Sequence, residues 1–278
     1  MSKALKQIEQ IKQTIKMAEA VLITAGAGIG VDSGLPDFRG NEGFWKAYPL
    51  IAKRNLSFSE MANPAWFDKN PSLAWAFYGH RLNLYRKTVP HDGFAMLLDL
   101  AKEKGENYFI FTSNVDGQFQ KAGFDKDKIY EVHESIHHLQ CTQNCTEDIW
   151  ENTEEVDVDM ELFEALHYPK CKHCAAIARP NILMFGDWSW NHKRSSQQEY
   201  RYLAWRKINR NKNIAIIEIG AGTAIPTVRQ EGQHLAAQYP NSTLIRINPR
   251  EYQIEKRFGF SIPLGGLDGI REALNKSK

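Results

Sequence analysis

The chain has 278 residues, 42% of them hydrophobic and 24% charged, which excludes a largely disordered polymer and fits a main domain with a smaller one attached. Lys and Arg number 35 against 33 Asp and Glu, a net charge of +2, so no global field draws the protein to nucleic acid or to a membrane. No uncharged apolar run nears the roughly 18 residues of a membrane span, and the amphipathic N-terminus has no signal-peptide core, so the expected compartment is the cytoplasm.

Leu5, Ile8, Ile11 and Ile15 recur at helical spacing. Val21-Leu22-Ile23-Thr24 follows as a strand and runs into Ala25-Gly26-Ala27-Gly28-Ile29-Gly30. Strand followed by glycine loop is the entry of a nucleotide-binding βα unit, because glycines let backbone N–H groups approach a phosphate closely. The spacing is not the common G-x-G-x-x-G, so the loop alone is a weak signal. Asp37-Phe38-Arg39 then places an aromatic ring and a cation where they would cover a nucleotide's reactive end. Residues 41–88 are aromatic-rich and read as helical, and 92–104 is a further helix. Tyr108–Thr112, Ile214–Ile219 and Thr243–Ile247 are buried-strand candidates, the second followed by Gly220 and Gly222, and 227–238 reads as a helix. Strands separated by helices predict an α/β fold, a Rossmann-like doubly wound parallel sheet.

The four cysteines stand as Cys141-x3-Cys145 and Cys171-x2-Cys174. Two close pairs in a reducing compartment predict four thiolate ligands for one tetrahedral Zn2+. Four thiolates leave no open coordination position, so that metal is structural, and His173 between two ligands is a surface or neighbouring residue. Residues 146–164 carry nine acidic side chains and no basic one, which reads as a solvated acidic face.

Gly26-Ala27-Gly28-Ile29-Gly30 with Gly34-Leu35-Pro36-Asp37-Phe38-Arg39 resembles the signature of the sirtuin family of NAD-dependent protein-lysine deacylases. Thr112-Ser113-Asn114-Val115-Asp116-Gly117 resembles the family's nicotinamide-pocket motif, and Glu131-Val132-His133 the strand that carries its catalytic histidine. The cysteine pairs match its zinc ribbon, Arg179–Asp187 its substrate strand, and Ile219–Thr223 and Ile247-Asn248 its late NAD motifs. The series runs in order over roughly residues 10–275.

The resemblance implies a Rossmann-like NAD-binding domain from 1–40, 89–138 and 177–278. It implies a smaller zinc-ribbon plus helical domain from 41–88 and 139–176, with NAD and acyl-lysine meeting between the two. It implies cofactor contacts by Gly26, Ala27, Gly28, Ile29, Asp37, Phe38, Arg39, Ser113, Asn114, Val115, Asp116, His133, Gly222, Thr223, Ala224, Asn248 and Leu267. Asp116 would hold the nicotinamide carboxamide, and Asn114 would order the ribose and a water. In the family mechanism the acyl oxygen attacks ribose C1′. His133 is then the general base on a ribose hydroxyl, a task that suits a neutral imidazole near physiological pH. The products are nicotinamide, O-acyl-ADP-ribose and free lysine, with NAD consumed as co-substrate.

Leu183 and Phe185 would share one strand face and clamp the acyl-lysine stem. The Gly186 and Asp187 backbone would pair with the peptide as an added strand. Tyr78 and Arg81, one helical turn apart, resemble the pair of the subgroup that removes succinyl and malonyl groups; a phenol and a guanidinium would bind the distal carboxylate. The expected partner is an acyl-lysine protein or peptide, with no nucleic acid and no membrane. The chain departs from the family at Gly30 and Ala224, where serine is usual, and at Glu134, where glycine is. Glu134 would narrow the acyl tunnel, repel an acidic acyl group or point away. These departures make protein ADP-ribosyl transfer or NAD hydrolysis the second reading, and a non-catalytic NAD-binding interaction module the third; His133 favours deacylation.

Overall fold

A computed structural model describes residues 3–37 and 40–274. Its strands are β1 (Ala20–Ala25), β2 (Tyr108–Thr112), β3 (Ile129–Glu131), β4 (Glu134–Cys141), β5 (Trp150–Glu151), β6 (Val158–Asp159), β7 (Glu164–Ala165), β8 (Ala178–Ile182), β9 (Ile214–Ile219), β10 (Ser242–Ile247) and β11 (Gly259–Ile262). Six of them form one parallel sheet in the order β11-β10-β9-β1-β2-β3. The four strands expected from the sequence are its centre. The edges β3 and β11 are short and only partly apolar, which hid them from an apolar-run reading.

Alternation along the strands splits the sheet into two faces, since successive side chains point to opposite sides. Val21, Ile23, Ala25, Ile110, Ile217 and Ile245 join one core with Ile11, Phe94 and Ile270 from helices Lys3–Met17, Asp92–Glu103 and Gly266–Leu274. Leu22, Phe109, Phe111, Ile216 and Leu244 join the other with Tyr202 and Leu235 from helices Lys193–Asn209 and Thr227–Gln238. Burial on both faces is why these strands read as continuous apolar runs rather than alternating ones.

A third core gathers the aromatic segment around the long helix Pro71–Lys87, with Phe44, Tyr48, Phe67, Trp75, Phe77 and Tyr78. It also draws in Val115, Ile136, Ala178, Ile182 and Met184 from segments expected in the Rossmann-like domain. The antiparallel sheet β5-β4-β8 carries the cysteine-bearing segment out from the main sheet. Among the described residues, no helix is long and apolar enough to cross a membrane.

The chain runs from β1 outward to β2 and β3, then returns to β9 and leaves in the other direction through β10 and β11. Strand order therefore reverses between β1 and β9. In open α/β sheets that crevice, at the carboxyl ends of the strands, is where a ligand binds.

Candidate active site

Both glycine loops stand at this reversal. The Gly26 N–H donates to Ile219 O at 3.0 Å, and the Gly28 N–H to Gly220 O at 3.1 Å. Gly220 has φ +64°, and a Cβ there would lie 2.4 Å from Gly28 C and Ile29 N. Only glycine allows the loops to interlock this closely. Gly30 is tight as well: a Cβ would lie 3.1 Å from Leu35 Cδ1, so the serine usual in the family would require Leu35 to shift.

The segment after β2 closes over this turn. The Asn114 N–H donates to Thr112 Oγ1 at 3.0 Å, and Thr112 Oγ1 donates to Ala25 O at 2.9 Å. The Asn114 amide donates to Gly26 O at 3.2 Å, which ties the buried side chain to the first loop. One oxygen of Asp116 accepts the Gln118 N–H at 2.9 Å. Burial raises the Asp116 carboxyl to about 6, with the Gln118 hydrogen bond opposing. His137, which sequence reasoning passed over, holds this turn through a 2.9 Å contact of Nε2 with Asp116 O.

His133 is not on a strand: β3 ends at Glu131, and the histidine occupies the turn before β4. Two hydrogen bonds across the pair brace that turn, Val132 N–H to Thr112 O at 2.9 Å and Leu183 N–H to His133 O at 3.1 Å. Burial lowers the His133 imidazole below its ordinary value, and a hydrogen bond with the Ser113 backbone opposes this. The ring is therefore neutral at physiological pH, the form a general base needs.

Glu134 points away from the site. Its side chain is fully buried and meets Arg194 at 2.6 Å, from helix Lys193–Asn209. Its φ is +61°, so the backbone keeps the left-handed conformation that favours glycine. A non-glycine residue there costs about 1–3 kcal/mol and persists only where its surroundings hold it. Of the three possibilities raised by the sequence, the contact with Arg194 fits a side chain that points away.

The substrate segment differs from the strand expected. β8 stops at Ile182, so Leu183 and Phe185 lie in the following turn rather than on one strand face. Phe185 is exposed, meets Phe58 edge-on at 6.0 Å, and donates its N–H to Ala62 O at 2.9 Å. Gly186 has φ +67° at the turn. The Asp187 side chain is buried and bonded to Arg179 at 2.8 and 2.9 Å, and it also accepts the Ser189 N–H at 3.2 Å. Asp187 thus shapes the loop from within.

Tyr78 and Arg81 lie on one helix, as the i,i+3 spacing predicts, and both are buried. The Arg81 guanidinium lies 5.1, 5.8 and 5.5 Å from the Phe77, Tyr78 and Tyr85 ring centres, and its Nε donates to Tyr85 Oη at 3.1 Å. The Tyr78 hydroxyl is buried without a hydrogen-bond partner.

The remaining cofactor positions surround the glycine loops. The Asn248 amide is committed to protein: Nδ2 donates to Ala221 O at 2.8 Å, and Oδ1 accepts the Arg250 and Glu251 N–H groups. It therefore sets the second loop. Thr223 bonds the Glu251 carboxylate, next to Gly222 and Ala224. The Leu267 N–H, at the start of the last helix, donates to Asp32 at 2.8 Å, and Asp37 pairs with Arg250 at 3.1 Å. Phe38 and Arg39 lie outside the described residues.

The four cysteines converge. Their sulfurs lie within 4.8 Å of one another, with Cys141–Cys174 and Cys145–Cys171 both at 3.6 Å. Zinc–sulfur bonds of about 2.3 Å set tetrahedral S···S edges of about 3.8 Å, so the donor set fits Zn2+. Gln143 N–H and His173 N–H donate to the Cys141 and Cys171 sulfurs at 3.3 and 3.4 Å, as two matching knuckles. The His173 ring instead meets Asp148 at 2.8 Å.

A family model described as "Sir2 family" matches residues 26–202. The chain belongs to the Sir2 family. An NAD-dependent protein deacylase of Aquifex aeolicus is 28% identical over 236 residues, covering 85% of this chain and 86% of that protein. One of Thermococcus sibiricus is 31% identical over 180 residues, covering 65% of each. A crystal structure of a Sir2 homolog–NAD complex shares the fold, with a TM-score of 0.75 at 21% identity over 96% of this chain and 92% of that one.

Proposed function

We propose that this Sir2 protein is an NAD-dependent protein-lysine deacylase. The observation that carries the reading is that the Asn114 amide is tied to Gly26 of the interlocked glycine loops at the sheet's reversal point, while the His133 ring meets the backbone of Ser113 beside it. NAD supplies the ribose carbon that accepts the acyl oxygen as nicotinamide leaves. The two loops suit the pyrophosphate, because both are glycine-rich ends of adjacent parallel strands. Asp116 keeps one carboxylate oxygen for a carboxamide, since the other is taken by Gln118. Asn114 donates its amide to Gly26 and offers its oxygen to a ribose hydroxyl or a water. His133 takes the proton from a ribose hydroxyl, and its neutral ring is ready to do so. Cys141, Cys145, Cys171 and Cys174 would hold a structural Zn2+ as thiolates and so stabilise the small module, and cysteines that form no disulfide suit a reducing cytoplasm.

The substrate is an acyl-lysine protein or peptide, bound beside Leu183, Phe185 and Gly186. The Tyr78–Arg81 pair supports an acyl chain that ends in a carboxylate, because a guanidinium ringed by aromatic faces and an unmatched buried hydroxyl would both bond it. Glu134 is bonded to Arg194. The test is a panel of acetyl-, malonyl-, succinyl- and longer acyl-lysine peptides with NAD, read by mass. Nicotinamide release should track deacylation, with carboxylate-ended chains preferred. His133→Ala should lower turnover on the order of 10²–10⁴-fold while NAD still binds. Nicotinamide release independent of peptide would replace the reading with NAD hydrolysis, and labelled ADP-ribose on protein would replace it with transfer.

A further inference from the structure

The turn that bears His133 is flanked by two buried carboxylates, Glu131 and Glu134, and both meet the same guanidinium. Arg194 lies 2.5 Å from Glu131 and 2.6 Å from Glu134, whose side chains are 1% and 0% exposed. One helical turn further on, buried Gln198 accepts the Glu131 N–H at 3.0 Å and donates to its carboxylate at 3.3 Å. Helix Lys193–Asn209 thereby grips the backbone and both side chains around the histidine.

We propose that Arg194 and Gln198 are positioning residues for His133, acting through Glu131 and Glu134. The inference rests on the deacylase reading and adds to it the element that aims the base. Three features require the clamp. Two carboxylates this close repel each other unless a cation stands between them. Glu134 holds a positive φ that a side chain adopts only under constraint. The second Glu134 oxygen is buried without a hydrogen-bond partner, so Arg194 is its carboxylate's charged contact among the described ion pairs. Without the guanidinium, the cheapest relief is for the turn to swing Glu134 outward, and His133 moves with it. A displacement of about 1 Å at a reacting group lowers rates on the order of 10²-fold.

The test compares the parent with Arg194→Met, Gln198→Leu and the double variant Arg194→Met/Glu134→Gly. Each is read by steady-state kinetics on acyl peptide and by the His133 Cε1–H NMR signal, assigned through His133→Gln. Arg194→Met should lower kcat at least tenfold, leave the KM for NAD nearly unchanged, and shift or broaden the His133 signal; Gln198→Leu should do the same more weakly. The double variant removes one of the two stranded carboxylates, leaves Glu131 to Gln198, and restores a residue suited to φ +61°, so it should fold and recover part of both readouts. A folded Arg194→Met protein with kcat within twofold of the parent and an unmoved His133 signal would overturn the proposal. So would a double variant that folds yet recovers neither readout. A parent with no peptide-dependent turnover would sink the deacylase reading alone; the NMR comparison would still decide whether the helix places the imidazole.

Discussion

At the scale of single residues, the proposed chemistry depends on two groups whose protonation burial has shifted in opposite directions. Asp116 is raised to about 6 and His133 lies below the ordinary 6.5. Both act in the deprotonated form, so both lose function as pH falls, Asp116 through about pH 6. The kcat/KM for NAD should therefore be level above neutrality and fall on the acid side of about pH 6. Asp116→Asn should remove the Asp116 step near pH 6 and leave the His133 limb, and should lower kcat/KM about tenfold to a hundredfold, the loss of one charge-assisted hydrogen bond of roughly 1.5–3 kcal/mol. A pH–rate profile of the two proteins checks it; an unchanged limb in Asp116→Asn would assign the titration to another group. The identities of these residues were readable in the motif order. Their protonation states were not, because burial comes from segments distant in the chain.

At the scale of elements, the site depends on how two loops meet. Gly220 takes φ +64° and leaves no room for a Cβ against Gly28 and Ile29. Gly220→Ala should therefore destabilise the protein by about 1–3 kcal/mol from backbone strain, with more from the clash, and weaken NAD binding at the same time. Thermal melts with and without NAD measure both; an unaltered melting temperature would show that the loops can part freely. The glycines were evident in the sequence, whereas their interlocking was not. Two element assignments fell short for a related reason. An apolar run at 182–185 looks like strand continuation, but Asp187 folds the segment back by bonding Arg179, and β8 ends at Ile182. His133 sits beyond β3 because Glu131, two residues before it, is the last residue to pair with β2.

At the scale of the whole molecule, two cores lie on the faces of the main sheet and a third holds the aromatic helices with β4 and β8. The cysteine cluster lies at the far end of this third assembly, where Cys141 ends β4. Chelation should release about one Zn2+ per chain. It should loosen the aromatic module, seen as loss of near-UV circular dichroism, while the helical and sheet signal of the main domain largely persists. Peptide-dependent turnover should disappear with the near-UV signal. A preparation that gives up its metal yet keeps full turnover would show that the ribbon does not support the site.

By itself the sequence determined the chemical repertoire: the glycine loops, the Asn-Val-Asp segment, the histidine, the four thiolates, and the strand–helix alternation that makes a parallel sheet. These are legible because each depends on residue types at short spacing, where local geometry follows from the chain itself. Tertiary structure decided where the repertoire points. It turned Glu134 toward Arg194, buried Tyr78 and Arg81 together, and bonded the Asn248 side chain to the second glycine loop. Such outcomes depend on partners far along the chain, as with Arg194, which lies 60 positions from Glu134. No local spacing encodes an ion pair between a turn and a helix that meet only when the sheet has formed.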